Sequence, residues 1–135
     1  MAARRGTVYV IDNDEAVRIG LEKLLRSKGF AVETFSAMYQ FILKNRNEHG
    51  ACILVGIETP SVEVLNLHVA FRQRKIPIIV LSAGDDSFMR QEARDLGAVS
   101  FFSKPFDDEA LLGAVAAAIE GGSEGRSGIA RPTGE

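Results

Sequence analysis

Asp12, Ser82 and Lys104 each stand at or just past the end of an apolar run, and Gly56 stands at the end of a fourth. A carboxylate, a hydroxyl and an ammonium group at strand ends are what a small polar pocket is made from. Lys104 and Ser82, with loop amides, can hold an oxyanion. Asp12 can act as a pocket carboxylate or can cap the helix that follows it. Asn13 and Asp14 are good cap residues, which favours capping over ligation for both. Gly56 either opens room in such a pocket or simply permits close backbone approach at a strand end. Ser82 also reads as a turn hydroxyl.

Other reactive side chains carry less. Glu58 and Glu63 lie near Gly56, but Glu58 is two residues further on and should point elsewhere. His49 and His68 have no spaced metal partners, so surface or helix-end roles fit them better. Cys52 opens an apolar strand and reads as inert core. Arg72, Arg74 and Lys75 read as a solvated helix end rather than a partner contact. There is no nucleophile–histidine pair, no tryptophan and no Gly/Ser/Thr-rich phosphate loop after the first strand. An enzyme or flavin carrier is therefore not expected, and no cofactor is called for.

The elements that must position these residues alternate regularly. Thr7–Ile11 is a β-branched, aromatic strand. A helix is expected from Asp14 to Lys28, with Gly29 in the left-handed position past its end. Ala31–Thr34 is a second strand, and Ser36 caps a helix to Arg46. Cys52–Val55 is a third, unusually apolar strand, followed after Pro60 by a helix over Val62–Arg72. Pro77 opens the strand Ile78–Leu81. Asp85 or Asp86 caps a fourth helix that Gly97 terminates. Val99–Phe102 is the fifth strand, and Asp107 caps a last helix with an inward stripe of Leu111, Leu112, Val115 and Ile119. Strands alternating with helices imply a doubly wound α/β fold with a parallel sheet covered on both faces. The flavodoxin-like strand order 2-1-3-4-5 suits this size, and its crevice lies at the carboxyl ends of the strands.

Composition sets outer bounds. The 135 residues suit one domain, expected over residues 1–120, and 46% hydrophobic content allows one sizeable core. From Gly121 onward, glycines at 121, 122, 125, 128 and 134 alternate with Ser, Pro and charges, which reads as a flexible tail over residues 121–135. The formal net charge of -2 suggests no broad nucleic-acid surface. A lone cysteine fits a reducing compartment. No run is long enough to span a membrane, and the arginines near Met1 are not followed by a signal-like apolar stretch. A cytoplasmic location is the expectation.

Several motifs in order resemble those of response-regulator receiver (CheY-like) domains over residues 7 to about 119. They are Val10-Ile11-Asp12-Asn13-Asp14-Glu15, Val55-Gly56-Ile57-Glu58-Thr59-Pro60, Val80-Leu81-Ser82-Ala83 and Phe101-Phe102-Ser103-Lys104-Pro105-Phe106. The resemblance implies that Asp12 and Asn13 occupy the places of an acidic pair that holds Mg²⁺. It places Gly56 in the slot of the aspartate that accepts a phosphoryl group. It makes Ser82 and Phe101 the switch residues, Lys104 the phosphoryl-contacting lysine, and Lys104–Pro105 a candidate cis bond. Phosphoryl transfer needs a nucleophile, a metal and a fixed cation. Glycine cannot be the nucleophile, and Asp12 alone is a poor Mg²⁺ site. The expected site is metal-free, closed by an Asp12–Lys104 ion pair, with a water-filled space beside Gly56.

The resemblance thus implies an atypical stand-alone receiver in two-component or phosphorelay signalling, acting through protein–protein contact without phosphorylation. A sensor histidine kinase, another regulator or a second copy would be the partner. The expected interface is the fifth strand with the last two helices, including Arg90, Arg94, Asp95, Phe101 and Asp107. The alternative is a pseudo-receiver whose crevice binds a small anion or metabolite.

Overall fold

The computed structural model of the protein describes residues 6–37, 40–41, 50–57, 76–83 and 87–121. Five strands form one parallel sheet: β1 (Thr7–Ile11), β2 (Ala31–Phe35), β3 (Ala51–Ile57), β4 (Ile78–Ser82) and β5 (Ser100–Ser103). Their spatial order is β2-β1-β3-β4-β5, the expected doubly wound order. Three helices fall within the described residues: α1 (Glu15–Ser27), α2 (Ser87–Leu96) and α3 (Asp108–Gly121). The expected helix over 62–72 lies outside these residues, as do most of that over 36–46, of which residues 40–41 are helical, the Asp85/Asp86 cap and the tail beyond Gly121.

The three central strands β1, β3 and β4 are buried almost throughout, as strands covered on both faces are. On one face Val8, Val10, Leu54, Ile79 and Leu81 pack with Leu21 and Leu25 of α1 and with Leu111, Leu112 and Val115 of α3. On the other, Tyr9, Ile11, Ile53, Val55 and Val80 pack with Met89 and Ala93 of α2. Tyr9, Phe35 and Phe41 add an edge-on aromatic cluster to that second face.

Local signals set most boundaries. Asp14 caps α1, its carboxylate accepting the amides of Ala16 at 2.9 Å and Val17 at 3.3 Å. Gly29 and Gly97 take positive φ values of 94° and 90° after α1 and α2, where a Cβ would be strained. The Asp107 carboxylate accepts the Ala110 amide at 2.8 Å and so caps α3. Gly121 still belongs to α3, one residue into the stretch expected to be tail. β3 extends past the expected Val55: Gly56 pairs with Leu81, and Ile57 with Ser82. Neighbouring β4 supplies the ladder, which outweighs the weak strand preference of glycine.

Candidate functional site

The parallel order brings the ends of β1, β3, β4 and β5 to one edge of the sheet. Asp12 follows β1, Gly56 and Ser82 lie at the ends of β3 and β4, and Lys104 follows β5. All of them lie at the carboxyl ends of the strands, where a crevice forms in such folds.

Asp12 is the centre of the arrangement. Its side chain is 1% exposed, and its Oδ2 accepts from Lys104 Nζ at 3.2 Å. Oδ1 accepts the Asp14 amide at 2.9 Å. Its own amide donates to the Phe35 carbonyl at 3.1 Å. Its carbonyl accepts from Arg18 Nη1 at 2.7 Å. The expected ion pair is therefore present. The choice left open for Asp12 also resolves: Asp14, not Asp12, caps the helix, while Asp12 is turned inward.

Gly56 does not leave the expected water-filled space. A Cβ built there would fall 1.9 Å from Asp12 Oδ2 and 2.7 Å from its Cγ. The volume is occupied by the carboxylate itself. Asp12, one residue past β1, lies beside Gly56 of neighbouring β3, so the missing side chain of one is filled by the side chain of the other.

Lys104 is held from both ends. Its amide donates to the Ser82 carbonyl at 2.8 Å, while its ammonium reaches Asp12. The following Lys104–Pro105 bond is cis, as the resemblance implied. Ser82 is 2% exposed and in register with Ser103. Ser103 is a site-edge residue that sequence reasoning missed. Its Oγ is buried without a hydrogen-bond partner among the described residues. Its sole signal in the sequence was a polar residue alternating with Phe102 directly before Lys104.

Asn13 is exposed, whereas its neighbour Asp12 is buried. Among the described residues no three His, Cys, Asp or Glu side chains gather as a metal site would require. The lysine needed for an anion site is already matched by an internal carboxylate. Glu58, Glu63, His49, His68 and the basic run at Arg72, Arg74 and Lys75 lie outside the described residues. Cys52 is fully buried, and burial pushes its thiol up to about 12, as suits an inert core residue.

Away from the pocket, the guanidinium of Arg90 lies 4.7 Å from the centroid of the Phe101 ring. Arg90 is therefore tied to an aromatic of β5 as well as lying on the expected interface. Arg94 and Asp95 are exposed on α2, with Asp95 accepting from Gln91 at 3.0 Å. Asp107 is exposed but engaged in capping α3. No helix among the described residues is long and apolar enough to cross a membrane.

Comparison with known proteins agrees with this fold. The response regulator receiver domain family matches residues 8–116. The response regulator protein TodT of Pseudomonas putida is 35% identical over 133 residues, covering 97% of this chain and 59% of TodT. The transcriptional regulatory protein FixJ of Bradyrhizobium diazoefficiens is 32% identical over 117 residues, covering 85% of this chain and 57% of FixJ. The chain thus spans less than two thirds of the length of these relatives. Among solved structures, full-length FixJ from B. japonicum superposes with a TM-score of 0.76 at 32% identity, covering 87% of this chain and 59% of that one. The structure of FixJ-N gives a TM-score of 0.73 at 30% identity, covering 89% and 96% respectively.

Proposed function

The chain belongs to the response regulator receiver family, and on that footing we propose that it is an atypical receiver that signals by binding, without being phosphorylated at the usual place. The relatives it matches are response regulators, which supports a part in two-component signal transduction. The observation that carries the finer reading is the end of β3. Gly56 offers no nucleophile there, and the adjoining space holds the Asp12 carboxylate bonded to Lys104.

In this reading Gly56 replaces the acceptor aspartate and Asn13 one of the two acidic metal ligands. Mg²⁺ prefers several carboxylates in an octahedral shell. Asp12 alone, already countered by Lys104, is a weak claim on such an ion. Ser82 and Phe101 are the inherited switch positions, and Phe101 is held under Arg90. With the chemical switch removed, the surface formed by α2, β5 and α3 is available in the resting protein. Arg90, Arg94, Asp95 and Asp107 mark it. Its partner is a sensor histidine kinase, another regulator or a second copy of the chain.

The test is intact-mass measurement after incubation with acetyl phosphate and Mg²⁺. The unmodified mass is the expected result. An acid-labile adduct mapped to residues 54–60 would overturn this reading.

A further inference from the structure

Lys104 and Asp12 follow strands that are not neighbours. Between β1 and β5 lie β3 and β4, and strands in a sheet are spaced about 4.8 Å apart. The ion pair therefore passes over the ends of two intervening strands. The residues beneath it are small: Gly56 on β3 and Ser82 on β4. Gly56 is not demanded by backbone conformation, because it lies in regular strand and pairs with Leu81. What excludes a side chain there is the Asp12 carboxylate, 1.9 Å from where a Cβ would sit. Beyond the carboxylate, the next nearest atom is the Asp12 Cβ at 3.4 Å, an ordinary contact.

We propose that Asp12, Gly56 and Lys104 form an internal latch, in which the Asp12 carboxylate is the resident anion of Lys104 and Gly56 is the positioning residue that makes room for it. The latch ties the start of the β5–α3 connection to the β1–α1 connection. Lys104 is anchored at its amide by Ser82 and at its ammonium by Asp12, so the connection is held by the chain's own charge. No outside anion is needed to hold it, and inorganic phosphate must compete with a carboxylate already in place. This holds whether or not the protein is phosphorylated anywhere, so its failure and the failure of the signalling reading are separable.

The test is a cycle of Gly56→Ala, Asp12→Ala and the double variant, read by thermal midpoint and by the Lys104 side-chain ammonium resonance in NMR. Gly56→Ala must displace the carboxylate, and it should lower the midpoint by about 10 °C and shift the ammonium signal. In the Asp12→Ala background the nearest atom left to the same methyl is the Cβ of residue 12 at 3.4 Å, and the midpoint should move by no more than about 2 °C. If Gly56→Ala alone fails to fold, recovery of folding in the double variant supports the latch equally. An equal drop in both backgrounds overturns it, because position 56 would then be restricted by something other than Asp12. A Lys104 ammonium signal unchanged by Asp12→Ala overturns it as well. Titration of the wild type with inorganic phosphate should leave that signal in place, and a saturable shift would show that the resident carboxylate does not hold the lysine.

Discussion

Removing one partner of the Asp12–Lys104 pair should cost different amounts depending on which partner is removed. The Asp12 side chain is 1% exposed, whereas that of Lys104 is 19% exposed. Lys104→Met leaves a fully buried carboxylate with the Asp14 backbone amide as its remaining donor among the described residues. An orphaned buried charge of this kind typically costs about 3–5 kcal/mol, and the remaining amide bond places the expected loss near the lower end, about 3 kcal/mol. Asp12→Asn leaves an ammonium on a flexible stem that already reaches solvent. Its head can swing outward, so the expected loss is about 1–2 kcal/mol. The combined variant removes both charges and should be more stable than Lys104→Met alone. Urea unfolding at equal protein concentration measures all four proteins, with an unchanged slope showing that only stability moved. Added salt should narrow the differences little, because screening acts weakly on a buried pair. The reasoning is refuted if Lys104→Met lies within about 0.5 kcal/mol of wild type, or if Asp12→Asn is the more damaging change.

Three further outcomes are expected. Gly56→Asp must displace the Asp12 carboxylate that fills its space, so together with Asn13→Asp it should be less stable than wild type without metal. The double variant should yield adduct with acetyl phosphate only when Mg²⁺ draws the displaced carboxylates together, while each single variant forms little or none; mass measurement of all four proteins decides, and a folded double variant inert at saturating Mg²⁺ would refute this. Arg94→Glu should weaken self-association or partner binding about five-fold by sedimentation or titration, and it is a cleaner probe than Arg90, whose reversal also removes the contact with Phe101. Cys52 should resist thiol reagents in the native protein at pH 8. Because burial raises its pKa from 9.0 to about 12, the unfolded thiol ionises first as pH rises. Stability should therefore be insensitive to this group below pH 9 and fall above it, with a slope approaching about 1.4 kcal/mol per pH unit. A Cys52→Ala variant showing the same alkaline slope would assign that loss to other groups.

Much of the architecture was legible in the chain itself. The β-branched run at Thr7–Ile11, the helix starting near Asp14 with Gly29 beyond its end, the Gly97 stop and the Asp107 cap are local signals, and all four reappear in the structure. Alternation of strand and helix, joined to crossover handedness, left few topologies, and the flavodoxin-like order that suits this size is the one observed, β2-β1-β3-β4-β5. The opposite charges of Asp12 and Lys104, together with the motifs around them, were enough to expect that they meet. Tertiary structure decided what fills the space between them. Gly56 read as an opening, and the sheet register instead sets it beside Asp12, whose carboxylate takes that volume. The extension of β3 through Gly56 and Ile57, the seat of Arg90 on Phe101 and the buried Ser103 hydroxyl were equally out of reach. Caps, turns and periodicity act over a few residues and leave their mark in the local sequence. Side-chain occupancy across a sheet depends on strand register and on rotamers chosen against neighbours far away in the chain, and those are settled only when the strands have paired.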